Sequence, residues 1–172
     1  MKFTKILTVS LFLTFSYSVV AQSQNNTIPA ADVKKLDGTT FNTSNIENNG
    51  KPIIINFWAT WCSPCKRELN NIAEMYGEWV EETGVKLVAI SIDDTRNMAK
   101  VAPYVNGKGW DYDVYLDPNG DFKRALGVNN VPHTFLVDGN GKVVWQHNSY
   151  SEGDEYELIE LVEKLNAGEK IN

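Results

Sequence analysis

Residues Phe57 to Lys66 read FWATWCSPCK, and the hydrophobic period changes across them. Upstream, Pro52 to Trp58 (PIIINFW) is an unbroken β-branched and aromatic run, the pattern of a strand buried on both faces. Downstream, Leu69, Ile72, Ala73, Tyr76, Trp79 and Val80 fall at the spacing of one helix face, and Gly84 supplies a stop. A buried strand therefore runs into an amphipathic helix, and two cysteines stand at the junction.

Working outward, Val85 to Ile92 is a second buried strand, Thr95 to Val105 a helix, Tyr112 to Leu116 a short strand, and Phe122 to Leu126 a short helix closed by Gly127. This alternation predicts an α/β domain. His133 to Val137 and Lys142 to Gln146 flank the turn Asp138-Gly139-Asn140-Gly141, so an antiparallel pair should finish the sheet. Ser151 with Asp154 three residues on has the form of a capping box for a last helix through Leu165. On the amino-terminal side, Asp37-Gly38 within Val33 to Phe41 predicts a small hairpin, and Asn42 to Gly50 a polar turn or short helix.

The chain has 172 residues, enough for one ordinary domain, and 11% aromatic residues give bulk for a core. A charge of −6, from 16 basic and 22 acidic residues, argues against nucleic acid or an anionic membrane surface as partner. With two cysteines in all, the chain is neither a disulfide-stapled mini-domain nor a four-thiolate zinc site. Residues 1–21 show the three parts of a secretory signal: basic Lys2 and Lys5, an apolar stretch from Ile6 to Val20, and small Ala21. That stretch is shorter than the ~20 residues of a comfortable membrane span, so cleavage after Ala21 and export to the periplasm are expected. Residues 22–30 read as a polar tether, and 31–172 as the folded domain.

Position gives the cysteines their chemistry. Cys62 faces the unpaired N–H groups and positive end of the helix, which stabilise a thiolate, so it should be the attacking sulfur. Pro64 fits the first turn, where its missing N–H costs nothing. Cys65, one turn deeper, can reach the same sulfur and displace a mixed disulfide. A structural disulfide or half of a metal site has the same C-x-x-C spacing, but a metal would need His133, His147 or carboxylates, and neither histidine lies in a metal motif. No metal and no cofactor are expected.

FWATWCSPCKREL, followed about seventy residues later by VPHTFLVDGNGKVV, resembles the thioredoxin-like exported reductases of the TlpA/ResA type over Ile28 to Leu165. The resemblance implies the thioredoxin fold: a central mixed sheet flanked by helices, an amino-terminal hairpin, and an extra βα insertion, placed at Val85 to Trp110. It also implies a cis peptide before Pro132 in a loop against the dithiol, so that Trp61, Val131, Pro132 and His133 form the substrate-binding rim. Where cytoplasmic thioredoxins carry a buried Asp this chain has Asn56, so the proton on Cys65 needs another acceptor. Glu68, at the position of the family's helix glutamate, is the candidate. Asn70 stands where the family usually has a helix-kinking Pro, and His133 where Thr is commoner, either as packing or as a cation near Cys62.

The function expected is thiol–disulfide exchange on protein dithiols and disulfides, in the reducing direction, by a monomer recharged by a membrane electron donor. Two alternatives stand: a thiol peroxidase, suggested by Thr60 two residues before Cys62 but lacking the usual nearby Pro, and a non-catalytic thioredoxin-fold binding module. Trp58 reads as either groove or core. Asp93-Asp94 reads as a helix cap, Trp145, His147 and Tyr150 as edge packing, and Glu152 to Glu163 as a solvated face.

Overall fold

Strand β3 (Ile53–Trp58) is buried at all six positions, as its unbroken apolar run requires. In the computed structural model, which describes residues 26–171, it lies inside a seven-stranded sheet of order β2-β1-β5-β4-β3-β6-β7. Its neighbours are β4 (Lys86–Ser91), parallel to it, and β6 (His133–Val137), antiparallel. Beyond them lie β5 (Asp113–Leu116), parallel to β4, and β7 (Val143–Asn148), antiparallel to β6. The expected hairpin forms from β1 (Asp32–Lys35) and β2 (Thr40–Asn42) and joins the sheet through β5.

Helix α1 (Ser63–Thr83) follows β3 and ends at Gly84, whose φ of 69° is the left-handed conformation a glycine adopts without a Cβ clash. The sheet separates two cores, because side chains alternate along each strand. Ile54 and Trp58 of β3 meet Leu69, Ile72 and Trp79 of α1 on one face, with α2 (Val101–Lys108) and α4 (Asp154–Asn166) contributing Val105, Leu158 and Val162. Ile53, Ile55 and Phe57 meet Phe122 of α3 (Asp121–Ala125) and Phe135 on the other. Burying a side chain of this kind contributes about 1.5–3 kcal/mol, so the two cores dominate stability.

Several boundaries differ from expectation. The helix expected from Thr95 starts at Val101, because the Asp94 carboxylate accepts the N–H groups of Arg96 and Asn97 and holds a turn, followed by a short 3-10 segment at Met98–Lys100. The expected βα segment at Val85 to Trp110 is present as β4 and α2, with β4 paired on both sides as an interior strand. Only half of the expected capping box forms: Asp154 accepts the Ser151 N–H at 2.7 Å, while α4 starts after Gly153 with no side-chain cap. Asn70 does not interrupt α1; its Oδ1 accepts the Trp110 Nε1–H at 3.1 Å, tying the helix to the end of α2. Val80, placed on the apolar face by spacing, is exposed. The proposed leader falls on residues 1–21, outside the described residues. From Asn26 the chain is docked: the Val143 N–H donates to Asn26 and the Ile28 N–H to Gly141.

Candidate functional site

The loop Ala59 to Trp61 carries the chain from β3 to α1, and it is fastened to the end of the next strand. Asp93, fully buried, accepts the Thr60 N–H at 2.8 Å, the Thr60 hydroxyl at 2.6 Å and the Ser91 hydroxyl at 2.8 Å. Asp94 caps the following turn as expected; Asp93 instead fixes the segment that presents the cysteines. Its role spans 33 residues of sequence, and no local pattern signals it.

Cys62 is the N-cap residue of α1 and its Sγ accepts the Cys65 N–H at 3.3 Å. This is the helix-terminus contact that stabilises negative charge on sulfur. Pro64 sits in the first turn. The two cysteines are joined in a disulfide with Cα atoms 5.4 Å apart. Cys65 is fully buried, while Cys62 keeps 5% exposure.

The register of β3 with β6 places Phe57 opposite His133. The turn before β6 therefore lies at the same sheet end as the dithiol loop. The Val131–Pro132 peptide there is cis, and Val131 packs against the cluster that contains Cys62 and Cys65. Trp61 is 63% exposed at this end and free to meet a partner. Trp58 is core: its ring lies 4.9 Å from Trp110 and 5.7 Å from Tyr104.

His133 points to the α3 side, stacked on Phe135 at 4.4 Å, with Nε2 3.0 Å from Gln146 Oε1. Burial pushes its pKa down, and the stacking on Phe135 agrees with the packing alternative for this residue. Trp145 stacks on His147, as edge packing predicts.

Glu68 is the unusual group. It lies three residues beyond Cys65 on α1, on the same helix face, and is 5% exposed. Its Oε1 accepts the Thr134 hydroxyl at 2.7 Å, and Thr134 in turn accepts the Asn56 amide N–H at 2.8 Å. Burial, opposed by these hydrogen bonds and reinforced by Asp154 and Glu155, pushes its pKa up to about 7. The family resemblance pointed to Glu68; it did not point to Thr134 or to the neighbouring group of Asn71, Tyr150 and Glu155. There Asn71 donates to Tyr150 at 2.7 Å and to Glu155 at 3.2 Å, and the Tyr150 hydroxyl donates to Glu155 at 2.8 Å. Among the described residues no cluster of three or more His, Cys, Asp or Glu is arranged to hold a metal, and no helix is long and apolar enough to cross a membrane.

A dithiol at a helix N-terminus, beside a cis-proline loop in this sheet order, can be compared with known proteins. The AhpC/TSA family profile matches residues 25–146. The chain belongs to the AhpC/TSA family. Within reach of this AhpC/TSA chain, the thiol-disulfide oxidoreductase ResA of Oceanobacillus iheyensis is 34% identical over 110 residues, 64% of this chain and 55% of that protein. The thiol:disulfide interchange protein DsbE of Yersinia pestis is 32% identical over 123 residues, 70% of this chain and 61% of its own length. The chain thus spans less than two thirds of these curated relatives. Among solved structures, an uncharacterized thioredoxin-like protein from Porphyromonas gingivalis is 52% identical with a TM-score of 0.73, covering 81% of this chain and 92% of that one. The thioredoxin-like fold is therefore shared by this AhpC/TSA member.

Proposed function

We propose that the protein is an extracytoplasmic thiol–disulfide oxidoreductase that reduces protein disulfides through Cys62 and Cys65. The observation that carries this reading is the pair itself: one sulfur within reach of solvent at a helix N-terminus, the other sealed beneath it. In the reduced enzyme the Cys62 thiolate attacks a client disulfide, forming a Cys62–client bond and releasing one client thiolate. Cys65 then gives its proton to the Glu68 carboxylate and attacks the Cys62 sulfur. That step closes the Cys62–Cys65 disulfide, breaks the Cys62–client bond, and leaves the client reduced by two electrons. A Glu68 proton affinity near neutrality suits this transfer.

The client's backbone lies along Val131 and Pro132, with exposed Trp61 closing the rim; His133 belongs to this rim through its main chain. The signal pattern at residues 1–21 supports export to the periplasm, where a membrane electron donor must return two electrons per cycle to the monomer. A thiol peroxidase would use Thr60 to orient peroxide, but the Thr60 hydroxyl is committed to Asp93, and a pure binding module would have no use for the sealed second sulfur.

Insulin reduction and peroxide consumption, measured side by side, separate these readings. Reduction of insulin without peroxide turnover is the expected result; peroxide turnover alone, or neither activity, overturns it. Cys62→Ser should abolish exchange, and Cys65→Ser should accumulate the mixed disulfide with the client. Equilibrium titration against glutathione and dithiothreitol gives the direction, since dithiols of this kind span about −270 to −120 mV; a potential at the oxidising end sinks the reductant assignment.

A further inference from the structure

Four buried side-chain polar atoms among the described residues lack a partner, and two of them, Asn56 Oδ1 and Glu68 Oε2, belong to the same three side chains. Buried polar atoms in native proteins are almost always satisfied, so a pair of orphans in one group calls for a physical account. Asn56 comes from β3, Thr134 from the facing position of β6, and Glu68 from the helix above them. The chain of bonds runs Asn56 N–H to Thr134 Oγ1, then Thr134 O–H to Glu68 Oε1. The Asn56 amide also lies near the Glu68 carboxyl and opposes the rise in its pKa. Both atoms left over are acceptors unless one of them carries a proton.

We propose that Asn56, Thr134 and Glu68 form a closed hydrogen-bond ring when Glu68 is protonated, and that loss of this proton turns the Asn56 amide over and reverses the ring. In the protonated state, Glu68 Oε2–H donates to Asn56 Oδ1, Asn56 N–H to Thr134, and Thr134 O–H to Glu68 Oε1: three donors, three acceptors, no orphan. In the ionised state the donors into the ring come only from the Asn56 amide and the Thr134 hydroxyl, and Oε2 confronts Oδ1. The amide then turns its N–H groups toward the carboxylate and the Thr134 hydroxyl swings to Oδ1, so two ring bonds remain. Asn56 and Thr134 are thus positioning residues for the proton step, and this rests on the reading of Glu68 as the proton acceptor for Cys65. On that reading, the disulfide form with Glu68 protonated is the state reached after Cys65 has given its proton away.

The charged and titratable groups around the ring are known. Asp154 and Glu155 face Glu68 from α4, and Tyr150 from the segment before it. Tyr112 approaches next to β5, and His147 of β7 lies opposite Thr134 while pairing with Asp154 at 3.5 Å. Asn56 and Thr134 are the ring's only members from the sheet, and neither titrates.

The test is NMR titration of the full oxidised chain, following the Glu68 carboxyl carbon and the Asn56 side-chain amide together. The ring requires both to move with one midpoint, and it requires the Asn56 response to vanish in Glu68→Gln. An Asn56 amide that does not titrate, or one that still titrates in Glu68→Gln, overturns the proposal. A second variant gives a sign. Thr134→Val keeps the strand shape but removes the hydroxyl, costing the protonated ring two bonds and the ionised arrangement one. Proton affinity at Glu68 should therefore fall about fivefold, with Thr134→Ser restoring it. A rise instead would mean that Thr134 is only a donor to the carboxylate, and the ring fails. If Glu68→Gln leaves the resolving step of exchange unchanged, the proton-acceptor reading fails on kinetics, while the NMR result still decides the ring.

Discussion

Glu68 and Glu155 are shielded from solvent to nearly the same degree, 5% and 4% exposed, yet their proton affinities move in opposite directions. Glu68 lies deep between α1 and the sheet with a single hydroxyl donating to it. Glu155 lies just under the surface, against a pocket shared with Glu74, Glu152 and Tyr156. Burial pushes Glu155 up as well, but its own N–H, the Tyr150 hydroxyl, the Gly153 N–H and the Asn71 amide together outweigh it and hold it below the ordinary range. Depth and the number of donors, and not exposure alone, decide which carboxyl keeps a proton at neutral pH. The molecule thus has one carboxyl suited to trading protons and a neighbour held as a fixed charge.

The largest effect should come from removing the proton trade. Glu68→Gln keeps the size and reproduces the donor and acceptor pattern of a protonated Glu68, so the fold should be retained. The resolving step should slow by ~10²-fold or more, with the first attack by Cys62 unchanged. Stopped-flow Trp fluorescence across a pH series measures both phases, and an unchanged second phase would assign the proton to water or another group.

The same residue sets a pH dependence of stability. Unfolded Glu68 loses its proton near the ordinary 4.5 and folded Glu68 near 7. Between those values the folded state binds more protons, so stability falls as pH rises through the window, by at most about 3 kcal/mol, and levels off above it. Urea denaturation at pH 4.5 and pH 8 should show this fall in the unaltered protein and its loss in Glu68→Gln. Equal slopes in the two proteins would mean that Glu68 is not the source.

Glu155 has the opposite sign. Its contribution is full above the unfolded value and is lost as pH falls through the lower folded value. At pH 7, Glu155→Gln should cost about 2 kcal/mol, the scale of hydrogen bonds to a charged group. It should also lower the proton affinity of Glu68 by removing a nearby negative charge. A Glu68 midpoint that does not move would mean that the two carboxyls are independent. The smallest effect is at another buried carboxylate: Thr60→Val removes one of several bonds to Asp93 and should cost about 1 kcal/mol, read as a small drop in Tm.

The order of strands and helices was legible because β3 and α1 carry clean periods, and the hairpin turns carry Asp-Gly signals. Glu68 was legible because the resemblance marks that position with a helix glutamate, and it lies on the same helix as Cys65, one turn away. Its partner Thr134 is 66 residues distant, and the Asn71–Glu155 contact spans 84. Such pairs are made by strand register and helix docking, which no local window contains. The start of α2 was misplaced for a local reason: Asp94 satisfies two N–H groups with its side chain, offering the backbone a turn where periodicity alone predicts helix. His133 was a question of direction, since one step along β6 exchanges the dithiol side of the sheet for the α3 side.

The fastening of Thr60 to Asp93 bears on how the molecule spends conformational freedom. Loops that order themselves only when a partner arrives give up rotational entropy at each encounter, and that loss appears in the barrier. Here the segment ahead of Cys62 is tied by two bonds to the end of an interior strand, so its entropy was surrendered once, during folding. On the proposed function, the sulfur meets each client already aimed. On that same proposal, selectivity then comes from the client: a disulfide whose flanking chain can extend itself along Val131 and Pro132 should react, and one held in a rigid, folded loop should not.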